Sequence, residues 1–324
     1  MSIYAFGNTS KCNQKFNEDF YYVSKIGDYI VLAVADGNGG LNGSVNPGAL
    51  AITLITDFFK HLIKPTTSIK DISASMELGM FFASRGFLAV NAVDERYANM
   101  YASLSVAVIE DVSLNMVVGS VGNTEIRLFR NGEYSRITTL HSEAYDLMKK
   151  GEISDEDIYL HPKRGLVTSA LGVFDTPKID VFERQLMKED ILLFATDGLY
   201  RVMNPGTVLQ LLADNSTNIQ KAVNQILKEA DDNECPDNAT LIVGYVQDDN
   251  GITEQTNAYT SGFTQPSTPY STPSYPSEPS ITSSSYDSNN FTSDYSMPSV
   301  SQETMEKTAD LESTKKKKKK YLYY

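Results

Sequence analysis

Tyr29-Ile30-Val31-Leu32-Ala33-Val34-Ala35-Asp36-Gly37-Asn38-Gly39-Gly40 is a β-like apolar run that closes on an acid and a glycine-rich turn. Gly39-Gly40 permits a close turn of positive φ just beyond the acid. The pairing of an apolar run with an acid recurs three times. Asp19, in Asn17-Glu18-Asp19, opens Phe20-Tyr21-Tyr22-Val23. Asp197, in Ala195-Thr196-Asp197-Gly198, closes Ile191-Leu192-Leu193-Phe194-Ala195. Asp237, in Asp237-Asn238-Ala239-Thr240, precedes Thr240-Leu241-Ile242-Val243. Each segment alone is ordinary, because Asp-Gly after a strand is a common turn signal. Four in series carry more weight. Carboxylates at strand ends can converge at one edge of a sheet. Acids gathered there with no basic partner repel one another and invite a hard divalent cation. A metal site is the first functional expectation.

Outward from these runs, residues 3–7, 19–26 and 28–36 read as strands. Helices are expected over 45–63 and 69–93, with Leu50, Leu54, Phe58 and Leu62 at helical spacing and Pro65 between the two. Strands follow at 101–110, 113–121, 124–130 and 133–137, and Asn131-Gly132 is a strong hairpin signal. Residues 142–160 read as a polar helix. Strands 178–184 and 190–196 lead to Asp197, helices 206–214 and 216–231 follow, and the last strand is 239–246. Antiparallel strands in the middle with paired helices on either side place the chain in the α+β class.

The composition changes sharply near Gln247. Residues 1–247 hold the periodic apolar segments and suffice for one well-packed domain. Residues 248–314 are rich in Ser, Thr, Pro and Tyr, cannot bury enough apolar surface to offset ordering entropy, and are expected to be disordered. Residues 315–324 are a third segment, six consecutive lysines (Lys315–Lys320) followed by Tyr321-Leu322-Tyr323-Tyr324. A lysine run beside aromatics suits an anionic membrane surface. Two cysteines, Cys12 and Cys235, are too few for a disulfide framework. The N-terminus lacks a signal-peptide pattern and no apolar run reaches spanning length, so a cytoplasmic protein, at most peripheral to a membrane, is expected. The formal net charge of −13 argues against nucleic acid as the main partner.

The order and spacing of the four acidic segments resemble those of the metal-dependent protein phosphatases of type 2C, above all the bacterial branch. The stretch Leu140-His141-Ser142-Glu143-Ala144-Tyr145-Asp146-Leu147-Met148-Lys149-Lys150-Gly151-Glu152-Ile153-Ser154, continuing to His161-Pro162-Lys163-Arg164-Gly165-Leu166-Val167-Thr168-Ser169-Ala170-Leu171-Gly172, is similar to that branch's flap beside the active site. Residues 117–124 and 126–132 fit its central hairpin. The resemblance covers residues 1 to about 247. It implies a four-layer α/β/β/α sandwich of two antiparallel sheets flanked by helix pairs. It also implies hydrolysis of phosphoserine and phosphothreonine by a water activated by two Mg or Mn ions, with phosphorylated proteins as substrates and an opposing Ser/Thr kinase as partner.

By position, the resemblance makes Asp36 the bridging ligand with Gly37 supplying a carbonyl, gives Asp197 and Asp237 the second ion, and lets Glu18 and Asp19 act mostly through water. Asp36 and Asp197 are the expected catalytic pair. Other positions depart from the family. Asn38 stands where a general-acid His is usual, and Asn cannot give a proton at neutral pH. Gln14 stands where an Arg binds the substrate phosphate, which leaves the adjacent Lys15 as a point charge. Asn123 and Arg201 stand at positions often acidic, which argues against a third metal. Ser103-Leu104-Ser105 blurs the usual Gly-Ser-Thr run. A catalytically weak or inactive phosphoprotein-binding module is the alternative reading. His61 reads as a surface residue, and His141 and His161 as hydrogen-bonding groups of the flap.

Overall fold

A computed structural model describes residues 2–40, 44–215 and 218–247. The expected tail 248–314 and the 315–324 segment with Lys315–Lys320 lie outside the described residues.

The Tyr29–Ala35 run is the middle of β3 (Tyr29–Asn38), and its continuous apolarity has a structural cause. β3 is covered on both faces. Val31, Ala33 and Ala35 pack under α1 (Pro47–Leu62) and α2 (Ile69–Val93), against Ile55, Phe59, Met76 and Met80. Ile30, Leu32 and Val34 face the other way, against Ile3, Phe194 and Ile242 of a second sheet. Burial on two sides requires near-continuous hydrophobicity rather than alternation. Each large side chain so buried contributes about 1.5–3 kcal/mol.

The first sheet has the order β2 (Phe20–Ile26), β3, β4 (Tyr101–Glu110), β5 (Asn115–Val121), β8 (Asp180–Gln185). The second runs β1 (Ser2–Ser10), β10 (Ala239–Gln247), β9 (Ile191–Ala195), β6 (Glu125–Arg130), β7 (Glu133–Arg136). All pairings are antiparallel. The helices α4 (Pro205–Asp214) and α5 (Ile219–Asp232) cover the second sheet's outer face, where Val208, Leu212, Val223 and Ile226 meet Leu193, Leu241 and Val243. The result is the expected α/β/β/α sandwich.

Helix starts follow local chemistry. Asn46 caps α1 through the Ala49 N–H with Pro47 in the first turn, Asn204 and Pro205 do the same for α4, and Ser68 with Asp71 forms a capping box on α2. The expected helix 142–160 is shorter: α3 spans Glu143–Lys149. Gly151 takes φ +75°, and the Gly151 and Glu152 N–H groups donate to Met148 and Leu147 carbonyls, which closes the helix. A separate single turn at Asp157–Tyr159 begins where Ser154 and Asp157 cap each other.

Candidate active site

Antiparallel pairing puts the start of β2 beside the end of β3, with Phe20 opposite Ala35. It likewise puts the end of β9 beside the start of β10, with Leu241 opposite Ala195. The two sheets present these ends at the same edge, where Asp19 joins them. Asp19 immediately precedes β2 of the first sheet, is 2% exposed, and its Oδ2 accepts hydrogen bonds of 2.8 Å each from the hydroxyls of Thr196, just after β9, and Thr240 of β10 in the second. Glu18 is held at both ends. Its N–H donates to Asn238 Oδ1 at 2.8 Å, and its Oε1 accepts from the Gly40 N–H at 2.5 Å. Gly39, at φ +85°, makes the turn that aims that N–H.

The electrostatics are those of acids forced together. Burial raises Asp36 well above the usual carboxylate range, and Asp19, Asp197 and Asp237 push it further. Burial raises Asp19 to about 7 although the two threonine hydroxyls favour its charged form. Glu18 and Asp237 rise as well, each chiefly through burial. Glu18, Asp36, Gly37, Asp197 and Asp237 all line one polar cleft of about 190 Å³. Arg201 lines it too. Its Nη2 lies 2.7 Å from Asp237 Oδ2 and 3.5 Å from Asp197 Oδ2. Burial, and then Arg201, lower the pKa of Arg164, from the segment after α3, against the favourable pull of the same two carboxylates.

Asn38 is exposed and lines the cleft. Gln14 also lines it, its amide donating to the Pro236 carbonyl at 2.7 Å. Lys15 is not among the lining residues; its Nζ sits 5.0 Å above the Phe16 ring, which does line the cleft. Asn123 is buried and already committed, since its Oδ1 accepts from Ser103 Oγ at 2.8 Å and its N–H donates to the same oxygen.

The match to a family model decides the assignment. Residues 27–247 match the model of Stage II sporulation protein E (SpoIIE). The chain belongs to this type 2C (PPM) family of bacterial protein phosphatases. Among curated relatives, it is 24% identical over 213 residues to the serine/threonine phosphatase Stp of Listeria monocytogenes, covering 66% of this chain and 83% of that one. The solved serine/threonine phosphatase of S. agalactiae superposes with a TM-score of 0.68 at 20% identity, covering 76% of this chain and all of that one. The catalytic domain of the phosphatase PstP, solved in complex with two manganese ions, superposes at 0.63 with 22% identity, covering 76% and 99%.

For a phosphatase of this family the test is whether these donors suit a divalent ion. Their chemistry does. All are oxygens, several are carboxylates whose pKa burial and neighbouring acids raise, and Asp197 Oδ2 is buried without a hydrogen bond. Their arrangement is incomplete. Among the described residues, no three His, Cys, Asp or Glu side chains are grouped to hold one ion.

One feature of this phosphatase escaped the sequence. Glu125 and Arg127, both 2% exposed, form an ion pair on β6. Glu125 also accepts from Arg136 Nε and from the Tyr159 hydroxyl, each at 3.0 Å. Burial opposes the Arg127 charge, and Glu125 together with Tyr200 and Tyr159 more than restores it. Tyr159 lies in the flap and packs against Tyr200, three residues after Asp197. The network therefore joins the segment after α3, the second sheet and the loop bearing Asp197. The alternation of Glu125 and Arg127 along a short strand would ordinarily signal a solvated face.

Proposed function

We propose that the chain hydrolyses phosphoserine and phosphothreonine esters of proteins, with two Mg or Mn ions as cofactors. The convergence of Asp36, Asp197 and Asp237 from two sheets on one cleft carries this reading, and the PstP structure with two manganese ions supports it. When bound, the ions would supply a water of lowered pKa and positive charge for the phosphoryl oxygens. Asp36 would hold both ions, the Gly37 carbonyl would complete one site, Asp197 and Asp237 would hold the second, and Glu18 and Asp19 would act mostly through water. Asp19 has one carboxylate oxygen free of the threonines for this.

Asn38 can donate a hydrogen bond to the leaving oxygen but not a proton. Lys15, beside the lining residue Phe16, remains the candidate for the substrate phosphate, as a point charge without a fork. Phosphorylated proteins of the cytoplasm, with an opposing Ser/Thr kinase, are the expected partners, and Lys315–Lys320 the expected contact to an anionic membrane surface. Among the described residues no helix is long and apolar enough to cross a membrane.

A second reading, a phosphoprotein-binding module of weak or no turnover, is favoured by the ion pairs of Arg201 with Asp197 and Asp237. Mn-dependent hydrolysis of a phosphothreonine peptide and of an aryl phosphate separates the two. Turnover of both supports the enzyme. Turnover of the aryl ester alone traces to Asn38, since that leaving group needs no proton. No turnover of either, with peptide still bound, establishes the module.

A further inference from the structure

Arg201 is placed by the fold rather than by chance. The Tyr200 and Arg201 N–H groups donate to the Asp197 and Gly198 carbonyls, so a single tight turn carries the chain back over the catalytic loop. The Cys235 thiol donates to the Gly198 carbonyl at 3.2 Å and fastens that turn to the segment bearing Asp237. Buried Tyr200, its ring tilted against Tyr159, holds the other side. The guanidinium that emerges meets two carboxylates, one just after β9 and one just before β10.

We propose that Arg201 is an internal cation that competes with a divalent ion for the Asp197–Asp237 pair, so that the cleft takes one ion readily and the second only by displacing the guanidinium. The inference rests on the ligand assignment above. A divalent ion sits roughly 2.0–2.6 Å from its carboxylate oxygens. A nitrogen 2.7 Å from Asp237 Oδ2 occupies the same approach, so ion and guanidinium exclude each other there. The ion pair with Asp237 must be broken, and its loss weakens the second ion by on the order of tenfold. The phosphatase would then sense divalent-ion concentration through its second site, with Arg201 setting the threshold.

The test is calorimetric titration of Mn into the metal-stripped full chain, with bound Mn counted by electron paramagnetic resonance. In the wild type, one ion binds tightly and a second at least roughly tenfold more weakly. Arg201→Gln tightens the second ion by on the order of tenfold, and Arg201→Lys, which keeps the charge, leaves it weak. Arg201→Ala gives the same contrast should the Gln variant fold poorly, with the Mn-induced rise in melting temperature as the readout. Two equal sites in the wild type, unchanged by Arg201→Gln, overturn the inference and leave the two-metal phosphatase standing. Absence of Mn binding by every variant overturns both.

Discussion

Removing the Glu125 carboxylate tests whether the buried ion network holds the flap to the domain. Glu125 Oε1 accepts from Arg127 Nε at 2.5 Å, and Oε2 accepts from Arg136 Nε and the Tyr159 hydroxyl at 3.0 Å each. The arginine side chains are 2% and 10% exposed, so solvent cannot replace the lost partner. Breaking a buried pair by deleting one member costs about 3–5 kcal/mol, because an uncompensated charge stays inside. Glu125→Ala is expected at that level. For a domain of this size each kcal/mol moves the melting temperature by about 2–4 °C, which predicts a fall of roughly 6–20 °C. Urea denaturation gives the free energy directly, and limited proteolysis should show earlier cleavage around residues 150–165, since Tyr159 loses its acceptor. The Asp155–Arg136 pair at the surface cannot compensate, as Asp155 is half exposed. A loss below about 1 kcal/mol, with the flap still protected, would refute the network's structural role.

Three further outcomes follow from the same geometry. Burial lowers the His141 pKa from 6.5 against the favourable Asp180 contact, while the Gly122 N–H donates to Nδ1. The unfolded chain therefore takes the proton first, so this contribution is present above about pH 6.5 and lost as pH falls through the folded value. The stability difference between wild type and His141→Gln should shrink on going from pH 7.5 to 5, and a difference independent of pH would contradict the assignment. Asn38→His, at an exposed cleft position, should raise turnover of a phosphothreonine peptide by up to about 10² and leave aryl phosphate hydrolysis unchanged; equal gains on both would mean the histidine is not giving a proton. Phe59→Ala, in the core under β3, should cost about 3–5 kcal/mol in urea titration without altering Mn affinity, and a change in affinity would show that the helix layer shapes the site.

The two-sheet frame was legible because β3 is buried on both faces and β10 and β9 on one face each by sheet and helix, which leaves near-continuous apolar runs in the chain. The acids at the ends of those runs were readable as a group for the same reason, since antiparallel pairing brings strand ends together. The flap helix was read too long. Polar residues after Lys149 keep helical composition, and only the positive φ of Gly151 and the Ser154–Asp157 cap divide the segment. Arg201 was legible as a cation four residues beyond Asp197, but not as a partner of Asp237, which comes from a different strand. Glu125 and Arg127 were missed because nothing local marks a charged strand face as covered. That covering comes from Tyr159 and Tyr200, whose positions depend on the whole chain.

The central claim is that the carboxylates at this edge hold divalent ions that drive phosphoester hydrolysis. Its most direct test is turnover of a phosphothreonine peptide by the full chain in Mn, after chelation, and in the Asp36→Asn variant, with bound Mn measured in parallel. The account predicts turnover with Mn, none after chelation, recovery on adding Mn back, and a loss of at least about 10² in Asp36→Asn together with lost Mn. Turnover that persists after chelation, or an Asp36→Asn enzyme as active as the wild type, would contradict it.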